Sequence, residues 1–279
     1  MKKILFTVAI VLVFAVGLSV LLYPFVADYM NSRRQSRVVD QYYKDLDKLT
    51  EEDFTELFDA ARIYNDSLRS RPNRLVLSDA EMEEYLGLMN PFGNGIMGTL
   101  IIDLIGVRLP IYHGTSEGVL QIGAGHLEGS SLPVGGSGTH TVITGHRGLP
   151  SSILLTKLDK LEKGDTFVIH ILNETLTYRV DQILIVKPED VSALDIIPDM
   201  DYCTLVTCTP YGINSHRLLV RGYRVENGAV SNAKPDVILS EAEKIDTAPV
   251  VLVVSVPVLI ILIAYQLFRF LRKHRRGKS

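Results

Sequence analysis

The stretch YCTLVTCTPYGINSHRLLVRGYRV, residues 202–225, carries the reading on which the rest turns. Tyr202–Thr209 is a β-type run of aromatic and β-branched residues. It ends at Pro210, which has no N–H to continue a ladder. A short loop follows, and Arg217–Val225 reads as the next strand. Upstream, further candidate strands are Gly98–Asp103, Val107–Tyr112, Thr139–Gly145, Thr166–Leu172 and Thr175–Val186, with Leu154–Leu161 as a short helical connection. Many short strands joined mostly by antiparallel-length connections predict a mainly β domain, either a closed barrel or a sandwich.

Before these strands the pattern is helical. Val38, Tyr42, Leu46 and Leu49 recur at helical spacing, and Thr50 with Asp53 three residues later has the form of a capping box. Phe54, Leu57, Ala61 and Tyr64 line one side of the helix that follows. Arg71-Pro72-Asn73 breaks it, and Ser78–Leu88 reads as another short helical turn carrying Asp79, Glu81, Glu83 and Glu84. Gly93-Asn94-Gly95 is the turn into the β region.

The two ends are apolar. Mean hydropathy is +0.18, slightly high for a purely soluble domain. Residues 4–27 hold no charge and follow Lys2 and Lys3. About 20 such residues cross a bilayer core, so this run is expected to anchor the chain. A cleaved signal peptide would have a shorter apolar region, and its best cleavage site, Ala15-Val16-Gly17, falls in mid-run. A second run, Ala248–Phe268, is followed by Arg269, Arg272, Lys273, Arg275, Arg276 and Lys278 with no acid, as in a stop-transfer segment. It lacks the polar face of a helix lying on the membrane surface. Both termini are therefore expected in the cytoplasm and the middle outside, although Arg33, Arg34 and Arg37 oppose that bias locally. The predicted division is an anchor over 1–27, a helical segment over 28–90, a β domain over 91–226, a polar linker over 227–247, a second span over 248–268 and a basic tail over 269–279. All 32 Asp and Glu lie between Asp28 and Asp246 against 21 Lys and Arg, leaving that middle at −11. Such a domain repels phosphate, which excludes nucleic acid as a partner. Two cysteines exclude a disulfide scaffold and a cysteine-rich zinc module, and no metal or cofactor is expected.

Cys208 sits at a strand end before a loop, where a nucleophile can be rigid and reachable. A buried structural cysteine is the plain alternative. A free thiol, with pKa about 8.5, needs a base or a cation to react at neutral pH. His146 lies at another strand end, in Ile143-Thr144-Gly145-His146-Arg147-Gly148, and Arg217 opens the strand after the cysteine. Imidazole can take and return a proton. Arginine stays charged and can hold a carbonyl or oxyanion. Seven histidines leave the pairing open on composition alone. Cys203 has the opposite strand parity to Cys208 and is expected in the core. A Cys203–Cys208 disulfide would have to span about 16 Å at about 3.3 Å per residue. Arg221 is the rival for the arginine role and His126 a lesser candidate; His216 is expected to be structural, His170 to lie on a strand face and His274 in the tail. The acidic run from Asp79 to Glu84 reads as an unpaired, solvated helix face.

These motifs resemble the sortases, and within them the pilin-polymerising class C group. Thr204-Leu205-Val206-Thr207-Cys208 matches the TLxTC motif, His146 falls in the family's Thr-Gly-His setting, and Arg217 stands nine residues after the cysteine. Leu109–Gly114, Gly125–Gly129 and Thr209–Gly212 also resemble class C sequence, so the likeness runs from about Gly95 to Val225. The resemblance implies a closed eight-stranded sortase-type β-barrel outside a Gram-positive cell membrane. It implies cleavage of an LPxTG-like signal between Thr and Gly, with Cys208 as nucleophile, His146 as general acid/base and Arg217 holding the carbonyl. A pilin lysine would then take the acyl group. Alternatives are a housekeeping sortase acting on peptidoglycan, a non-catalytic peptide-binding pilus scaffold and a thiol protease. Class C chains carry a lid with an Asp-Pro-aromatic motif, which is not found here. Asn90-Pro91-Phe92 abuts the first turn of the β region, and Asp79 is the remaining lid candidate. Lys187–Asp201 is expected to form one wall of the peptide site.

Overall fold

A computed structural model describes residues 2–227 and, beyond them, Ile263 alone. Helix α1 runs Lys2–Leu46, and Phe14–Leu46 within it is long and apolar enough to cross a membrane by length and composition. It is the one such helix among the described residues. The second apolar run at 248–268, the linker beyond residue 227 and the tail at 269–279 lie outside the described residues.

Two capping boxes start the next helices. In α2, Glu51–Leu68, Thr50 and Asp53 each cap the other's backbone N–H. In α3, Asp79–Gly87, Ser78 and Glu81 do the same. Such reciprocal caps satisfy N–H groups that a helix start otherwise leaves bare. The stripe Phe54, Phe58, Ala61, Tyr64 and Leu68 of α2 is buried in the same core as Tyr42 and Leu46 of α1. Leu57, expected on that stripe, is only partly buried and Phe58 takes its place.

Eight strands follow: β1 (Ile96–Ile102), β2 (Val107–His113), β3 (Ala124–His126), β4 (Thr139–Thr144), β5 (Thr166–Ile171), β6 (Glu174–Val186), β7 (Asp201–Thr209) and β8 (His216–Val225). A four-residue helix, α4 (Glu117–Leu120), separates β2 from β3. The strands close into a barrel in the order β1-β2-β3-β4-β7-β8-β6-β5. Only the β2–β3 and β4–β7 seams are parallel. Closure, rather than a sandwich, resolves the alternative that strand pattern left open, and it removes free sheet edges. Gly98 is required at the β1–β5 seam, since a Cβ there would lie 2.2 Å from the carbonyl oxygen of His170.

Two expectations are corrected. Strand β3 was not foreseen: three residues in a glycine-rich stretch show no alternation to read. The Leu154–Leu161 connection is mostly turns, with one 3-10 turn at Leu158–Lys160. Leu154, at φ 38°, leaves the right-handed helical region and breaks the run.

The helices are fixed to the barrel by buried polar contacts. The Tyr42 hydroxyl donates to Met97 O at 2.6 Å and accepts from Leu172 N at 3.4 Å. Asn65, 2% exposed, accepts from Leu132 N at 2.7 Å and donates to Leu132 O at 3.1 Å. Its amide thereby stands in for a peptide partner. Asn65→Ala strands two buried backbone groups and is expected to lower unfolding stability by about 2–4 kcal/mol, read from urea unfolding at unchanged slope.

Candidate active site

Strand β7 places the thiol. Along it, Cys203, Leu205 and Thr207 turn inward and are buried, while Val206 and Cys208 are only partly covered. Cys208 therefore lies on the outer face at the strand's end. It is paired with Arg217, the second residue of antiparallel β8. Directly opposed residues in such a ladder have Cα atoms about 4.5–5.5 Å apart, so the two side chains leave the barrel together. Arg217 donates to the carbonyl oxygens of Asn214 at 3.3 Å and His216 at 3.2 Å. Among the described residues it meets no carboxylate within salt-bridge distance.

Parallel β4 brings the histidine. Thr144 pairs with Val206, Gly145 N donates to Val206 O at 3.0 Å, and the Thr207 hydroxyl donates to Gly145 O at 2.8 Å. His146 thus leaves β4 level with Cys208 on the neighbouring strand. The next residue secures this loop: Arg147 is 9% exposed in its side chain, ion-paired to Asp159, and donates to the Thr209 hydroxyl at 3.4 Å. Its guanidinium also lies over the Tyr211 ring at 6.0 Å. His146 Nε2 reaches the two carboxylate oxygens of Glu117 at 3.3 and 3.2 Å. Gln121 and the His146 ring together hold the Glu117 carboxyl below its ordinary value. Sequence offered no signal for either contact: Arg147 is one more charged residue in a loop, and Glu117 is 29 residues from the ring it touches.

The outer face beside Cys208 is apolar. Val142, Leu194 and Leu219 are buried there, with Leu127, Leu184, Val186, Ala193 and Val206 packed against them. Leu194 and Ala193 belong to the β6–β7 connection, so this loop packs on that apolar face. A separate cleft of about 910 Å³ opens between Leu68–Val76 and Val191–Asp199, lined by Arg69, Arg71 and Arg74. None of Cys208, His146 or Arg217 lines it.

The other candidates are occupied elsewhere. Arg221 forms a two-pronged pair with Asp181 at 3.1 and 2.7 Å and covers the Tyr202 ring at 4.1 Å. His126 is fully buried, with Nε2 bonded to Ser131 O at 2.9 Å and Nδ1 to the Tyr85 hydroxyl at 3.0 Å. His216 bonds to Ser215 beside it at 2.9 Å, and His170, 9% exposed on β5, to Thr175 at 2.9 Å. His113 is held by Leu88 O at 2.7 Å and His140 by Asp195 O at 2.8 Å. Asp79 is exposed at the first residue of α3, and no hydrogen bond or ion pair among the described residues links it to Cys208, His146 or Arg217. Phe92, partly buried, packs edge-on to Tyr42 at 6.1 Å against the core. The acidic face of α3 is not the unpaired face expected from sequence, because Arg71 meets Glu81 at 3.5 Å and Glu84 at 3.2 Å.

With this geometry in place, comparison with known proteins is specific. Residues 100–225 match the model of the Sortase domain. Sortase SrtE1 of Streptomyces coelicolor is 35% identical over 91 residues and Sortase A of Streptococcus agalactiae 27% over 152 residues. The chain covers 26% and 61% of their lengths, and those stretches are 30% and 53% of its own. Sortase C1 of Streptococcus agalactiae, a crystal structure, is 48% identical with TM-score 0.67; the match covers 69% of this chain and all of that one. Sortase C of Streptococcus pneumoniae is 41% identical with TM-score 0.60, over 68% of this chain and 97% of that one. The chain belongs to the sortase family of cysteine transpeptidases, and its barrel is built like those of the class C pilin sortases.

Burial pushes the Cys203 thiol well up and leaves it 0% exposed. One equivalent of a thiol-alkylating reagent is therefore expected on the native protein, at Cys208, with Cys203 labelled only after unfolding; equal labelling of both would contradict this placement. Burial also pushes His126 down to about 3 and His140 down to about 4. The unfolded chain takes up these protons near pH 6.5 and the folded chain does not, so the stability they contribute is full above pH 6.5 and is lost as pH falls toward 4. Urea midpoints are expected to drop between pH 7 and pH 5.

Proposed function

We propose that this sortase cleaves an LPxTG-like sorting signal between Thr and Gly and transfers the threonyl group to a lysine amine of a pilin subunit. The observation that carries the reading is the shared strand β7: Cys208 at its end faces Arg217 across one seam and neighbours His146 across the other. On this reading the Cys208 thiolate attacks the threonine carbonyl carbon and Arg217 steadies the oxyanion that forms. The Thr–Gly C–N bond breaks, His146 gives its proton to the departing glycine amine, and a thioester remains on Cys208. The lysine amine then attacks the thioester, His146 takes the released proton, and Cys208 leaves as thiolate as the isopeptide bond forms. The apolar floor beside Cys208 suits the Leu and Pro of the signal. The likeness to class C structures, among them a sortase whose structure bears on pilin substrate specificity, supports a pilin as donor and acceptor.

The apolar helix near the N-terminus fits a membrane-anchored enzyme. We place the barrel outside the cell membrane and both termini in the cytoplasm, with residues 248–268 as the second span. A lipid bilayer and an LPxTG-bearing pilin or surface protein are then the partners, and no nucleic acid, metal or cofactor is needed. With Phe92 packed against Tyr42 and no contact joining Asp79 to Cys208 among the described residues, we propose that no Asp-Pro-aromatic plug guards the site.

The test is transfer by the full-length protein in detergent. An LPxTG-type peptide is offered with a lysine-bearing pilin fragment or with a peptidoglycan-like amine. The reading expects an isopeptide product with the lysine. It also expects loss of at least about a hundredfold in rate in Arg217→Ala, as when an oxyanion donor is removed. Exclusive transfer to the peptidoglycan-like amine would make the enzyme a housekeeping sortase. Release of free acid alone would make it a thiol protease, and product formation by Cys208→Ala would refute the chemistry.

A further inference from the structure

The catalytic reading uses three residues, and the structure holds a fourth against one of them. His146 Nε2 lies 3.3 and 3.2 Å from the two Glu117 oxygens. An ionised carboxylate only accepts hydrogen bonds, so the ring proton belongs on Nε2. The opposite nitrogen, Nδ1, has no hydrogen-bond partner among the described residues. Resting on the proposed function, we propose that Glu117 is a positioning residue: it fixes the Nε2–H tautomer of His146 and thereby assigns proton exchange with Cys208 and the amines to Nδ1.

The carboxylate is itself held. Gln121 Nε2 donates to Glu117 Oε1 at 3.0 Å from the residue that follows α4, where Gln121 N also bonds Glu117 O at 3.1 Å. The relay is thus Gln121 to Glu117 to His146, all from residues near the end of β2 and the end of β4. A second fixed point supports it, since Leu155 N donates to the His146 carbonyl at 3.2 Å and holds the backbone. With backbone and Nε2 both restrained, the ring has little freedom left about its χ angles. The Glu117 side chain is 65% exposed, and that of His146 24%. Solvent weakens such a contact, so its share of catalysis is modest, not that of a buried triad acid. The other charged groups about the ring are turned away or act on substrate: Arg147 pairs with Asp159, and Arg217 lies across β7 from it.

The experiment compares full-length wild type with Glu117→Ala, Glu117→Gln and Gln121→Ala. Peptide cleavage gives kcat and KM, and alkylation of Cys208 gives a readout independent of the sorting signal. Loss of the positioning bond is expected to cut kcat about five- to tenfold in Glu117→Ala with KM unchanged, the span of an exposed hydrogen bond to a charged group. Glu117→Gln keeps an acceptor oxygen and should restore kcat to within about threefold of wild type. Gln121→Ala should fall between them. Equal kcat in wild type and Glu117→Ala, with both alkylated at Cys208, would overturn the inference and leave the function intact. A drop in Glu117→Ala that Glu117→Gln fails to rescue would also overturn it. A wild type that alkylates at Cys208 but never cleaves the peptide would bring down the proposed function and the inference with it.

Discussion

The structure depends on β7 being hydrogen-bonded on both sides, antiparallel to β8 and parallel to β4. Strand register has a period of two, so slipping either seam by one residue turns side chains to the opposite face. Slipping β8 would carry Arg217 into the barrel and bring Leu218 out; slipping β4 would move the His146 loop along the strand. The inner residues of β7 forbid this. Cys203 and Leu205 are wholly buried and Thr207 is bonded to Gly145 O, so the register is set by the core and the site inherits it. The thiol is precise because apolar burial a few residues upstream makes it so.

The same logic explains the two roles of cysteine in one strand. Five residues apart, Cys203 and Cys208 have opposite parity. The first is sealed in the core, where burial disfavours the thiolate, and the second stands at the rim. Two arginines on β8 divide in a comparable way. Arg221 is consumed by Asp181 and Tyr202, which makes it part of the scaffold; Arg217 bonds only to the carbonyl oxygens of Asn214 and His216 among the described residues.

Much of this was legible in the sequence. Seven strands show alternating or β-branched runs bounded by turn formers, and both helix starts carry a side chain that caps and an acid that answers it. Cys208, His146 and Arg217 stand at strand ends in recognisable motifs. What could not be read was set by tertiary geometry. Strand β3 is only three residues and exists because β2 and β4 flank it. The partners of His113, His126 and His140 are largely backbone carbonyls and hydroxyls, whose positions no residue type announces. Glu117 reaches His146 because the β2–β3–β4 arrangement returns α4 to the end of β4. Spacing along the chain conceals that approach.

The most direct test of the account is to catch the acyl group on the enzyme. Full-length protein would be mixed with an LPxTG-type peptide without an amine acceptor, quenched in acid, weighed intact and digested to locate the added mass. The account predicts one adduct equal to the peptide cut after threonine, mapped to Cys208 and discharged when a lysine amine is supplied before the quench. An adduct on Cys203 or on a lysine, or cleavage with no adduct under any quench, would contradict it.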